Sequence, residues 1–365
     1  MTSGEASGNR YLFLDYLRAL AAWLVVWDHL ANNMLQEQGR VFRPALWVRE
    51  NFTAPLGIIQ DFGWFGVALF FLISGFIISD RARVEGLREF VLKRVLRIYP
   101  MLAVAVLLSC LFLASPADLT PQTVLLNLTL ANYLAIPQVV LVGAAWTLVI
   151  EVTFYALTAA TQFMRASPHR IALNLAVVAV LVWKRGAFGP NFALFAGAAA
   201  YLPILVMGQT IYWWLARNRL SSAWGIAYLL AAHGVFVWGL RAAQPGFLQV
   251  TNSYPISVAY ALLLFVALLR APLRERKLVR FLSDTSYSVY LLQGSIGWLV
   301  LTALIKVAPL SVSIPAAAGA TLAAAYLTHW LVETPTQRLG RHLTRNLRNR
   351  SQATAVVKPA DLPAA

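Results

Sequence analysis

Ten apolar stretches of 14 to 25 residues divide this chain and leave it few folds to choose from. They lie at 12–34, 63–80, 98–115, 143–163, 171–184, 191–215, 222–240, 255–270, 286–307 and 311–333. In hydrocarbon every backbone polar group must be satisfied within the protein, so only helices and closed barrels span a bilayer. A barrel would show short segments of alternating polarity. These runs are continuously apolar, so the expected fold is an all-α polytopic membrane protein with about ten transmembrane helices. The 12% charged residues agree, since a soluble domain carries about a quarter. The segment 124–137 is apolar but short, and Asn127, Asn132 and Pro137 break it. It reads as interfacial or re-entrant.

Charge placement gives an orientation. Ten spans put both termini on one side. With the N-terminus inside, 22 of the 30 Lys and Arg fall in inner segments, 7 in outer ones, and Arg18 within the first span. The positive-inside rule then predicts N-in and C-in. It also accounts for most of the net charge of +15, so no nucleic-acid partner is expected. The domain reading is a cytoplasmic segment 1–10, a transmembrane domain 11–336, and a basic tail 337–365 expected to be disordered. The first apolar run is too long and too charged for a cleaved signal peptide. Cys110 stands alone and the five histidines are scattered, so neither a disulfide nor a metal site is expected. His169, His233 and His342 read as bystanders.

The first span carries Asp15, Arg18, Asp28 and His29. Arg18 and His29 are eleven positions apart, roughly 20° past three full turns, so they share one helix face about 16 Å apart. Ionisable groups at this depth are costly and mark function by default. Neutral imidazole suits a general base near physiological pH; arginine suits an anionic ligand. Asp28 sits about 100° around the helix from His29 and is a poor orienting partner. Asp15 is in phase with Arg18 and is expected to pair with it.

Glu151, in the fourth span, lies at a depth comparable with His29. It is expected either to orient the imidazole or to bind a substrate hydroxyl. The inner segment 81–97 holds six basic residues. Of these, Arg94 and Arg97 share a helical face and could present a two-pronged phosphate site; anchoring to anionic lipid explains them equally well. Ser74-Gly75 permits close helix approach or a bent backbone near a ligand. No Gly-x-Ser-x-Gly elbow, Walker loop or His-Glu-x-x-His occurs. From the residues alone, an enzyme and a transporter that uses Arg18, His29 and Glu151 as an ion or proton relay both remain open.

Six motifs in order narrow the choice. Leu14-Asp15-Tyr16-Leu17-Arg18 through His29, Val67 to Phe76, Arg94-Val95-Leu96-Arg97-Ile98-Tyr99-Pro100, Trp146 to Glu151, Ser286-Tyr287-Ser288-Val289-Tyr290-Leu291, and Glu333-Thr334-Pro335 resemble the acyltransferase-3 family of membrane O-acyltransferases. The resemblance covers about 11–336. It implies a multi-pass enzyme of the inner (cytoplasmic) membrane that moves an acyl group, usually acetyl, from cytoplasmic acyl-CoA to a hydroxyl of a carbohydrate or glycoconjugate. It implies acyl-CoA as a donor substrate and no permanently bound cofactor. His29 would be the catalytic base and Glu151 would support the site. Arg18, Arg94 and Arg97, with Ser74 and Tyr287, would receive the donor. Two positions depart from the family pattern: Gln293 stands where histidine is frequent, and Thr147 replaces a serine. Direct transfer and an acyl-histidine intermediate both stay open.

Overall fold

The computed structural model describes residues 11–58, 62–165, 167–243 and 248–356, the side chains of 116, 248–252 and 346–356 excepted. Among these residues it contains no strand. Ten long helices account for the ten predicted spans. Helix α1 runs from Leu12 to Asp28, continues through a π turn at His29–Asn33, and ends at Gln36. The others are α2 (Gly63–Val84), α3 (Leu87–Phe112), α4 (Gly143–Ala160), α5 (Arg170–Trp183), α6 (Pro190–Ala216), α7 (Ser222–Ala243), α8 (Leu248–Arg270), α9 (Lys277–Leu304) and α10 (Leu310–Arg345). Eight are long and apolar enough to cross a membrane. The other two are α1, with its ionisable groups, and α5, with 14 residues. The chain is an all-α polytopic membrane protein.

Three boundaries differ from the hydropathy reading. The basic segment 81–97 is not a loop: α2 and α3 extend into it and leave only Glu85 and Gly86 between them. Helix α9 starts nine residues early, at Lys277. From residue 337, where composition predicts a disordered tail, the chain stays helical to Val356, within a helix that runs over Thr334–Val356. The segments 1–10 and 357–365 lie outside the described residues. The helices overrun the apolar windows because charged residues are good helix formers and find local partners, such as Lys93 on Glu89 at 2.6 Å.

The segment 124–137 does not span. A short helix, Pro121–Leu128, is capped by Thr120, whose hydroxyl accepts from the Thr123 amide at 3.1 Å. The asparagines that break the apolar run are its fasteners. Asn127 and Asn132 donate to the Val139 carbonyl at 3.0 and 3.3 Å, and the Leu141 amide donates back to Asn127 at 3.0 Å.

Helix α2 is the axis of the bundle. Of its apolar window 78% is buried, against 22% in α8, which faces outward. It packs on α1, α4, α6 and α8. A glycine on each helix makes the α2–α6 crossing possible. A Cβ on Gly75 would meet the Leu205 carbonyl oxygen at 1.8 Å, and one on Gly208 would meet the Leu72 carbonyl oxygen at 2.1 Å. The Ser74-Gly75 pair therefore does allow close helix approach. Gly75→Ala should lower the unfolding midpoint by an overpacking cost of about 1–3 kcal/mol. Gly234→Ala, where a Cβ meets open space, should be neutral or mildly stabilising. Equal midpoints for the two variants would show that the α2–α6 crossing can relax.

One inner-segment arginine proves structural. Arg170 is 2% exposed. Its guanidinium donates to the Thr161 hydroxyl at 2.7 Å and to the Thr158 carbonyl, tying α5 to the end of α4.

Candidate active site

The shared face of Arg18 and His29 opens onto two chambers joined by a neck. The basic chamber, of about 400 Å³, surrounds the Arg18 end and is lined by Arg18, Arg81, Lys93, Arg94, Arg97 and Arg341, with His329 and Glu333. The aromatic chamber, of about 910 Å³, surrounds His29 and includes Trp64, Trp146, Tyr201, Tyr254 and Tyr290. The neck, of about 60 Å³, shares Arg18, Arg97, Ser286 and Tyr287 with the first chamber, and Val67 and Tyr290 with the second.

His29 is the first residue of the π turn in α1. Such turns are rare, recur at functional sites, and re-aim the side chains they carry. The imidazole is half-buried and makes no hydrogen bond to another described residue, so its nitrogens are available to a ligand. Beneath it, Asp28 is 1% exposed and accepts from Asn33 at 2.9 Å. Stacked aromatic rings form part of the chamber wall. Trp64 and Tyr254 lie 4.3 Å apart by ring centroid, and the Trp64 indole donates to the Tyr254 carbonyl at 3.2 Å.

Glu151 does not orient His29. It lies in the neck, where its carboxylate accepts from Ser74 at 3.2 Å and from the Tyr155 hydroxyl. Ser74 and Tyr287 line the same neck, and Tyr287 donates to the Ile98 carbonyl at 3.1 Å, which joins α9 to α3. Tyr290 closes the aromatic side. Its hydroxyl is 3.0 Å from that of Thr147, and both reach the Ala144 carbonyl. The hydroxyl kept at Thr147 thus holds Tyr290, which neck and chamber share. Asp15 accepts from Ser283 at 2.9 Å, so it too fastens α1 to α9.

The structure separates the two arginines that the sequence pairs. Arg94 is 8% exposed, donates to Glu85 at 3.1 Å, and lies against the rings of Phe90 and Tyr155. Lys93 neutralises the same carboxylate at 2.9 Å. Arg97 has no ion pair within 4 Å among the described residues. It faces Glu151 and Glu333 at longer range. With Arg18, it lines the place where the basic chamber narrows and an anion would meet it.

The start of the helix after Glu333 completes this chamber. Glu333 is 6% exposed and accepts from Ser288 at 3.0 Å and Gln337 at 3.0 Å, with a His329 ring nitrogen at 2.9 Å. His329 did not stand out in the sequence. Its spacing of four residues from Glu333 was the available signal.

The sequence pattern of an acyltransferase domain, acyltransferase-3, matches residues 11–330. The chain belongs to the acyltransferase-3 family. A relative of this acyltransferase, nodulation protein 10 of Rhizobium leguminosarum bv. viciae, is 27% identical over 325 residues, covering 79% of this chain and 83% of the relative. No solved structure gives a significant match. The protein is therefore a membrane acyltransferase, which must bring an acyl donor and an acceptor together. Its neck is where the two chambers meet. Glu333, Gln337 and Arg341, all lining the basic chamber, lie beyond the matched residues.

Proposed function

We propose that the protein transfers an acyl group, acetyl in the first instance, from cytoplasmic acyl-CoA to a carbohydrate hydroxyl, with His29 as general base. The observation that carries this reading is the join of two unlike chambers at a neck. One is cationic and suits a donor with phosphates; the other is walled by aromatic rings and contains the unbonded imidazole. The basic chamber faces the cytoplasm in the orientation given by the positive-inside rule, in what we take to be the inner membrane. Phosphates would lie against Arg97 and the chamber rim, and the thioester arm would pass Arg18, Ser74 and Tyr287 toward Tyr290.

His29 takes the acceptor's hydroxyl proton on a ring nitrogen as the oxygen attacks the thioester carbonyl. The tetrahedral intermediate collapses with cleavage of the carbon–sulfur bond. The CoA thiolate leaves and recovers the proton from the imidazolium. One carbon–oxygen bond forms, one carbon–sulfur bond breaks, and the base is regenerated. Aromatic faces suit the apolar face of a sugar ring, which supports a carbohydrate acceptor.

Acetyl-CoA should raise the unfolding midpoint of the purified protein in nanodiscs, as expected for about 2.7 kcal/mol of stabilisation at a hundredfold excess over Kd. Acetate should not. Addition of a carbohydrate acceptor should release free CoA and give a sugar product heavier by one acetyl group. If neither stabilisation nor label transfer is seen, while proteoliposomes show proton or anion flux, the relay reading replaces the enzyme.

A further inference from the structure

We infer that the helix following Glu333 supplies a subsite for the donor's ribose 3′-phosphate, with Arg341 and Arg81 as its two cations. This rests on acyl-CoA being the donor. Residues 333, 337, 340 and 344 recur at helical spacing, and all but the half-buried Gln337 are buried. Glu333, fixed by Ser288 and His329, sets the phase of that stripe. Gly340 lets the helix lie against α3, where an added Cβ would meet Leu96 at 3.3 Å. The phase carries Gln337, Gly340 and Arg341 onto the basic chamber.

The cations of this chamber are not equivalent. Lys93 and Arg94 are taken up by Glu85 and Glu89. Arg18 and Arg97 lie deep, where chamber and neck overlap. Two cations remain toward the open rim. Arg81 is 43% exposed in its side chain, and its acidic neighbour, Asp80, is 3.9 Å away. Arg341 is exposed and has no ion pair among the described residues. Asp284, the remaining carboxylate of the lining, faces Arg280 at 3.9 Å.

A CoA thioester carries a pyrophosphate near its pantetheine arm and a phosphomonoester on the ribose, at the end far from the thioester. With the arm in the neck, the deep arginines meet the pyrophosphate region and the rim arginines meet the phosphomonoester. Arginine suits that group through its forked donors.

The test compares acetyl-CoA with 3′-dephospho-acetyl-CoA in nanodiscs of phosphatidylcholine, with and without phosphatidylglycerol. Wild type should favour acetyl-CoA in kcat/KM by roughly tenfold or more. Arg341→Gln should bring this preference close to unity, Arg341→Lys should recover part of it, and Arg81→Gln should weaken it in the same direction. A preference that survives in Arg341→Gln overturns the subsite. So does an Arg341→Gln defect that is equal for both donors and tracks phosphatidylglycerol, because a lipid headgroup would then be the anion. If wild type consumes neither donor but is active with another acyl carrier, the acyl-CoA reading fails first and the subsite falls with it.

Discussion

His29→Ala should lower turnover by about 10²–10⁴-fold, the usual worth of a positioned general base, while acetyl-CoA still protects the protein from heat. The expectation follows from the separation of the two chambers. His29 lines the aromatic chamber and does not line the basic one, so its loss removes no cation from the donor site. Nor does it strand a partner, because its ring bonds to no described residue. His29→Gln keeps size and polarity but cannot take up a proton, and should fail equally. The wild-type rate should fall as pH drops and the imidazole becomes protonated, since only the neutral form accepts the hydroxyl proton. Wild-type turnover in the purified alanine variant would remove His29 from the chemistry. A donor-acylated histidine trapped in the absence of acceptor would instead make it a nucleophile.

How much of this arrangement was legible beforehand depends on what holds each element. The apolar helices are held by burial in lipid and protein, so hydropathy marks them: a helix lies at each of the ten expected spans, and eight of them are long and apolar enough to cross a membrane. The helix after Glu333 is held differently. Its buried stripe is Glu333, Gly340 and Thr344 with Gln337 half-buried, which is polar and small, so a hydropathy scan passes over it. The same holds for the Asn127 and Asn132 fasteners, which look like interruptions until their acceptor at Val139 is known. The shared face of Arg18 and His29 was legible because 3.6-residue geometry is local. The division of labour between Arg94 and Arg97 was not. Three positions apart, they differ in what the link between α2 and α3 offers them, and only the fold brings Glu85 within reach of one and not the other.

The fold also explains why the neck sits where it does. Its walls come from α1, α2, α3, α4 and α9, and close backbone approaches and hydrogen bonds hold several of them together. Gly66 packs beneath the Ala21 carbonyl and Gly75 beneath that of Leu205. Ser74 reaches Glu151, and Tyr287 reaches the Ile98 carbonyl. Small residues draw α2 close to its neighbours on either side, and hydrogen bonds set the register of the facing helices. The polar groups left over point into the remaining space, which is why it is narrow and charged.

Arg97→Ala should abolish most donor binding. This cation lines both the basic chamber and the neck, and it faces the carboxylates of Glu151 and Glu333. Removing it leaves two acidic groups beside the path of an anionic donor, so attraction is lost and repulsion gained at one position. Truncation of one member of a buried charge cluster costs about 2–5 kcal/mol, or roughly 30-fold or more in donor affinity. KM for acetyl-CoA should rise accordingly, and Arg97→Lys should restore part of the charge but not the forked geometry. Arg94→Ala gives the contrast. Its guanidinium serves Glu85 and lies against Phe90 and Tyr155, so its main effect should be a lower unfolding midpoint. Thermal unfolding with and without acetyl-CoA reads both quantities from one experiment. Equal loss of donor stabilisation in the two variants would restore the two-pronged site suggested by their spacing. A donor effect confined to Arg97 would leave one deep anion contact in that pair, with the remaining phosphate recognition carried at the rim.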